Sequence, residues 1–134
     1  MFAMQIQNQS MREKPVVLIV EDNELSREVI QDVIEFSGYE TKIATNGQEA
    51  VDSVCDAAPD IILMDIQMPI MDGLEATRTI REKNCVPNVP IIALTGLARE
   101  VGREQCFAAG VDDFLTKPVD IDQLLTRINY FATP

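Results

Sequence analysis

Two textures alternate along the chain from Pro15 onward: short apolar runs, and longer amphipathic segments opened by helix caps, the pattern of β/α units. Val16 to Val20 is the first predicted strand and ends on Glu21-Asp22-Asn23. Leu25, Val29, Ile30, Val33, Ile34 and Phe36 then recur at helical spacing until Gly38 stops the helix. Tyr39 to Ala44 reads as a second strand. Asn46-Gly-Gln-Glu49 has capping-box spacing, and Ala50, Val51, Val54 and Ala58 form the inner stripe of the helix it opens. Residues 61 to 64 have neither helical nor alternating period; so short a run, bounded by Pro59-Asp60 and Met68-Pro69, suits a central parallel strand covered on both faces. It ends on Asp65. Asp72-Gly-Leu-Glu75 repeats the capping-box spacing before a helix anchored by Leu74 and Ile80 and running to Lys83, and residues 84 to 89 form a polar loop. Pro90 to Leu94 is the fourth strand. A helix over 98 to 109 follows, least secure of the set because Gly102 costs about 1 kcal/mol against Ala in a helix interior. Val111 to Leu115 is a fifth strand leading to Thr116-Lys117-Pro118, and Asp120-Ile-Asp-Gln123 caps a last helix with Ile121, Leu124, Leu125 and Ile128 on one face.

Strands alternating with helices in this way wind, through right-handed crossovers, into a parallel sheet with helices on both faces. At this size the expected class is α/β and flavodoxin-like, a (βα)5 unit with strand order 2-1-3-4-5. Residues 15–134 read as one domain; residues 1–14, rich in Gln, Asn and Ser, read as a flexible lead-in without the apolar core of a signal peptide. The aliphatic runs are far too short to span a bilayer. Eleven basic against 22 acidic residues leave a formal charge of -11, which repels nucleic-acid phosphates and anionic lipid. Neither nucleic acid nor membrane is an expected partner. Cys55, Cys85 and Cys106 are odd in number, far apart and not at metal-ligand spacing, so they read as buried or free thiols of a reducing cytoplasm. With no histidine in the chain, its own chemistry must run on carboxylates, hydroxyls and amines.

Alternate winding brings the carboxyl ends of all the strands to one rim, where ligands bind in open α/β sheets. Glu21 and Asp22 follow the first strand, Asp65 ends the third, Thr95 follows the fourth and Lys117 the fifth. Three converging carboxylates predict either raised pKa values or a bound cation, and oxygen donors without His or Cys suit Mg²⁺. Lys117 and Thr95 add a point positive charge and a hydroxyl donor, so the expected assembly is an anion site around a nucleophilic carboxylate.

Val20-Glu-Asp22, Met64-Asp65-Ile-Gln-Met-Pro-Ile-Met-Asp-Gly73, Ala93-Leu-Thr95-Gly and Asp113-Phe114-Leu-Thr-Lys117-Pro118 together resemble the receiver domain of response regulators, the phosphate-accepting half of two-component signalling, over Pro15 to Ala132. The resemblance implies Asp65 as phosphoryl acceptor, with Glu21, Asp22, Asp65 and the Gln67 carbonyl around Mg²⁺. It implies Thr95 and Lys117 on the phosphoryl oxygens, and Phe114 as the switch aromatic whose packing follows Thr95. It further implies a cis Lys117-Pro118 bond, against about 5–6% cis for X-Pro bonds in general. Glu21 stands where many members have Asp, which puts its direct contact with the ion in question. Gln67 and Leu97 occupy the two rim positions that the pattern leaves variable. Three other classes fit less well. A flavin carrier of this fold would present Ser, Thr and Gly after the first strand, an aspartyl-phosphate phosphatase would carry a second Asp where Gln67 stands, and a docking module without phosphorylation would have lost the acidic pair, the Asp or the Lys. The expected function is therefore a cytoplasmic, Mg²⁺-dependent phosphoacceptor. It takes phosphate from a histidine kinase or histidine phosphotransfer protein onto Asp65, catalyses its own phosphorylation and dephosphorylation, and signals through the face of the fourth helix, fifth strand and fifth helix. The chain reaches Pro134 directly after the last predicted helix, so output is expected to pass through protein contacts; a stand-alone regulator is the favoured expectation, and a receiver excised from a hybrid histidine kinase is the alternative.

Overall fold

In the computed structural model, which describes residues 14–68, 71–83, 88–96 and 100–132, strands and helices alternate without exception. They are β1 (Val16–Val20), α1 (Glu24–Phe36), β2 (Glu40–Ala44), α2 (Gly47–Asp56), β3 (Ile61–Asp65), α3 (Gly73–Lys83), β4 (Ile91–Thr95), α4 (Glu100–Ala109), β5 (Asp113–Thr116) and α5 (Ile121–Ala132). The sheet is wholly parallel in the order β2-β1-β3-β4-β5, as the alternation requires. β3 lies at its centre with every residue buried, which is why its sequence is continuously apolar rather than alternating. Asp60 fixes its entry: the Asp60 carboxylate accepts the Val16 N–H at 2.7 Å, and the Asp60 N–H donates to the Val16 carbonyl at 2.8 Å.

Each face of the sheet has its own core. Ile30 and Ile34 of α1 and Leu124 and Ile128 of α5 pack on Val17, Ile19, Ile61, Leu63, Ile92, Leu94 and Leu115. Ala50, Val51 and Val54 of α2, Ala76 and Ile80 of α3 and Cys106 of α4 cover Leu18, Val20, Ile62, Met64 and Ala93 on the other. At about 1.5–3 kcal/mol for each large side chain removed from water, these two layers supply the main drive to fold.

The caps operate as their spacing implies. Asn46 Oδ1 accepts the Glu49 N–H at 2.9 Å, Asp72 Oδ1 that of Glu75 at 2.8 Å and Asp120 Oδ1 that of Gln123 at 3.1 Å. Glu49 reaches one residue beyond the usual box, its Oε1 accepting from the Thr45 N–H at 2.7 Å and the Thr45 hydroxyl at 2.9 Å.

Several expectations need correcting. β5 begins at Asp113, not Val111, because Gly110 at φ +115° turns the chain out of α4 and the Val111 N–H bonds back to the Cys106 carbonyl. Tyr39 precedes β2, its N–H donating to Ile34 at the end of α1. Ala58 is exposed beyond the end of α2; Pro59 is buried instead. Leu25 and Val29 share the helical period of Ile30 and Ile34 yet are 74% and 51% exposed. Cys106 is a buried thiol, its pKa raised by that burial, but Cys55 is disulfide-bonded rather than free. The expected lead-in over residues 1–14 lies, apart from Lys14, outside the described residues, as do Leu97 and Cys85.

Candidate phosphoryl and metal site

β3 and β4 end on Asp65 and Thr95, and Glu21-Asp22 and Lys117 directly follow β1 and β5, so all of them reach one edge of the sheet. Asp65 is 2% exposed, Glu21 1% and Thr95 1%, while Asp22 stands in solvent. Carboxylate oxygens of Glu21, Asp22 and Asp65 lie within 4.8 Å of one another. Lys117 bridges the two buried ones, its Nζ 3.1 Å from Asp65 Oδ1 and 3.2 Å from Glu21 Oε1. Its backbone N–H donates to the Thr95 carbonyl at 2.8 Å, and the Lys117-Pro118 peptide bond is cis.

One lysine cannot balance three acids. Burial pushes the Glu21 carboxyl above the ordinary carboxylate range, and its hydrogen bond with Asp65 and the Asp65 charge push the same way, with Lys117 opposing. For Lys117, burial alone would lower the pKa, but the hydrogen bond to Asp65 and the charges of Asp65 and Glu21 outweigh it and raise the pKa, so the amine stays cationic. A site in which burial and a neighbouring carboxylate both disfavour the charge on Glu21 is one that a hard divalent cation would suit, and the donor set is all oxygen. The residues present therefore fit a metal ion.

The loop after β3 is held against this site from two sides. The Gln67 N–H donates to Asp65 Oδ1 at 3.3 Å, and the Gly73 N–H to the Ile66 carbonyl at 3.0 Å. A Cβ on Gly73 would stand 2.2 Å from the Asp65 carbonyl oxygen, and one on Gly47 would stand 2.4 Å from that of Met71. Only glycine lets the starts of α3 and α2 close on this loop. Gly73 closes one of the motifs read from the sequence and Gly47 follows a cap residue, but the close packing that requires glycine at both positions has no signal there. Arg27 was also missed. The one basic residue of α1, it donates from Nη1 to the Glu21 carbonyl at 3.1 Å and ties that helix to the rim.

Phe114 sits one strand over, half-buried, opposite Ala93 in the β4–β5 register, on the same sheet face as Thr95 two residues along. Residues 17–129 match the family model of the response regulator receiver domain. The chain belongs to that family. Among its relatives this receiver domain is 38% identical over 115 residues to the polar-differentiation response regulator DivK of Brucella anthropi, an alignment covering 86% of this chain and 94% of DivK. Among solved structures it is similar to the receiver domain of the sensor histidine kinase PA1611 from Pseudomonas aeruginosa, which holds a magnesium ion in its active-site cleft, at 36% identity and a TM-score of 0.84 over 90% of this chain and 99% of that one. It is also similar to the receiver domain of Ssk1 from Saccharomyces cerevisiae, solved with the histidine phosphotransfer protein Ypd1, at 31% identity and a TM-score of 0.84, covering 90% of each chain. The receiver domain is thus a module of two-component or phosphorelay signalling. No helix among its described residues is long and apolar enough to cross a membrane.

Proposed function

We propose that this receiver domain, residues 15–134, accepts a phosphoryl group on Asp65 from a partner's phosphohistidine and uses it as a conformational switch. The observation that carries this reading is Asp65 itself: a carboxylate buried at the end of the central strand, with an ammonium 3.1 Å away and no histidine elsewhere in the chain to compete for the phosphate. A carboxylate oxygen of Asp65 attacks phosphorus. The P–O bond forms as the P–N bond breaks, and the departing electron pair stays on the imidazole nitrogen, which takes up a proton from solvent. Lys117 already lies against Asp65, so the charge gathering on the transferred oxygens meets a fixed cation without reorganisation. Thr95 donates its hydroxyl to a phosphoryl oxygen. Glu21, Asp22, Asp65 and the Gln67 carbonyl would hold Mg²⁺, which when bound neutralises phosphoryl charge; the magnesium of the PA1611 domain supports the choice of ion. Water in place of the imidazole reverses the modification, so the domain catalyses both gain and loss of its own phosphate.

The donor docks beside the acceptor. Leu25, Val29, Ile30, Pro118, Val119 and Ile121 line an apolar groove of about 610 Å³ whose lining also includes Glu21 and Lys117. Exposed apolar residues bordering an active site mark an interaction surface. The downstream partner reads the face of α4, β5 and α5, where Phe114 lies. A stand-alone regulator is favoured by DivK, which aligns over nearly all its length; a receiver of a hybrid histidine kinase, as in PA1611, is the alternative. The site acts in the cytoplasm, where its phosphodonors reside. Incubation with a small acyl phosphate and Mg²⁺ tests the reading. Asp65→Asn should lose all label while keeping its fold, and full labelling of that variant would end the proposal.

A further inference from the structure

We propose that Arg103 and Phe107 of α4 clamp the ring of Phe114 and thereby set how strongly the resting state resists the switch, an inference that rests on the phosphoacceptor reading. The Arg103 guanidinium carbon stands 5.2 Å from the centroid of the Phe114 ring. Phe107 meets the same ring edge-on, with centroids 6.1 Å apart and planes at 88°. Four residues apart on one helix, Arg103 and Phe107 present to the same spot, and both contacts are made to the ring where it now lies, at the edge of the core. The helix that carries them is fixed at its far end. Cys106 and Ala109 are buried, and Arg81 donates from Nε and Nη2 to the Gly110 carbonyl at 3.1 and 2.9 Å. α4 therefore cannot follow the ring inward without giving up that anchor.

The inward path of the ring runs over the smallest side chain of β4. Phe114 lies across from Ala93, the one small side chain in a strand that otherwise reads Ile91, Ile92, Leu94 and Thr95. Thr95 stands on the same face two residues along from Ala93, so drawing Thr95 toward a phosphoryl group on Asp65 changes the packing beside the strand's smallest side chain, the side on which the ring meets least bulk. An inward ring leaves the Arg103 cation and the Phe107 edge behind. The clamp thus taxes the switched state. An exposed cation–π contact corresponds to about a two- to fivefold bias in such an equilibrium, and a ligand that prefers the switched state must overcome that factor.

The test titrates beryllofluoride, in the presence of Mg²⁺, into the intact protein and follows its amide and aromatic resonances. Arg103→Ala should bind the phosphate mimic two- to fivefold more tightly than wild type, with Phe114 ring resonances of the unliganded variant displaced toward their mimic-bound positions. Arg103→Lys should keep part of the bias. In a Phe114→Ala background the Arg103 change should have no effect on affinity, which separates a clamp from a residue that merely stabilises α4. Unchanged or weaker binding by Arg103→Ala, or the same gain without Phe114, overturns the clamp while leaving the acceptor reading intact. Wild-type protein that ignores the mimic, or an Asp65→Asn variant that binds it as wild type does, overturns the acceptor reading and the clamp's role with it.

Discussion

Replacing Gly73 by Ala tests whether packing positions the acceptor. The added methyl would stand 2.2 Å from the Asp65 carbonyl oxygen, 2.8 Å from Ile66 Cα and 2.9 Å from the Asp65 carbonyl carbon. An ordinary contact begins at 3.4 Å, so the closest pair falls short by 1.2 Å. Two effects of opposite sign compete. Ala is a better helix former than Gly by up to about 1 kcal/mol, less at the first position of a helix. Overpacking costs about 1–3 kcal/mol, and here the upper end applies because the obstruction is backbone and cannot rotate away. The clash wins, for an expected net loss of about 2 kcal/mol in denaturant unfolding. The functional effect should be larger than stability alone explains. Relief requires the start of α3 and the end of β3 to part, and a displacement of about 1 Å at a reacting group costs up to about 10²-fold in rate. Labelling by a small acyl phosphate is the assay, with Gly38→Ala as control. Gly38 sits at φ +99° with no neighbour within 4 Å of a built Cβ, so that variant should lose about 1 kcal/mol and yet label at the wild-type rate. A Gly73→Ala protein as stable as wild type and labelled as fast would refute the packing argument.

Two further outcomes follow from local geometry. Glu49→Ala should cost about 0.5–1 kcal/mol at neutral pH, the lower part of the capping range because the carboxylate is largely exposed. The Thr45 N–H and hydroxyl hold the Glu49 carboxyl below its ordinary pKa of 4.5, so this contribution is fully present above 4.5 and fades as pH falls through the lower folded value. Unfolding of both proteins at neutral and acid pH should therefore converge at the acid end; a difference that grows there would contradict the assignment. Leu25→Asp combined with Val29→Asp should slow phosphotransfer from a histidine phosphotransfer protein by tenfold or more, as about 1.4 kcal/mol of lost docking energy implies, while labelling by a small acyl phosphate stays unchanged. Equal loss with both donors would show that the groove serves the acceptor rather than its partner.

The central strands were legible because burial on both sheet faces makes β3 and β4 continuously apolar, and at five residues between Pro-containing or polar flanks they are too short for buried helices. The rim was legible for the same reason, since winding order alone brings Glu21, Asp65, Thr95 and Lys117 to one edge once the strand ends are known. What stayed hidden depends on distances between segments. The need for glycine at positions 47 and 73 arises from the carbonyls of Met71 and Asp65, far off in sequence or folded back by a loop. Leu25 and Val29 share the period of Ile30 and Ile34, so spacing cannot say which stripe faces the core and which lines a groove. The clamp on Phe114 is equally invisible, because nothing in the order of residues aims Arg103 at a ring on the next strand. The disulfide at Cys55 had no spacing signature either.

The central claim, a covalent phosphate on Asp65, is tested most directly by trapping it. The protein is incubated with a phosphorylated histidine phosphotransfer protein and Mg²⁺, reduced with borohydride and digested, and the peptide that contains Asp65 is sequenced by mass spectrometry. An acyl phosphate at that carboxylate is reduced to the alcohol, so homoserine should stand in place of Asp65 and nowhere else, and its yield should vanish when Mg²⁺ is chelated. Homoserine at Asp22, Asp72 or another aspartate with Asp65 untouched would contradict the account.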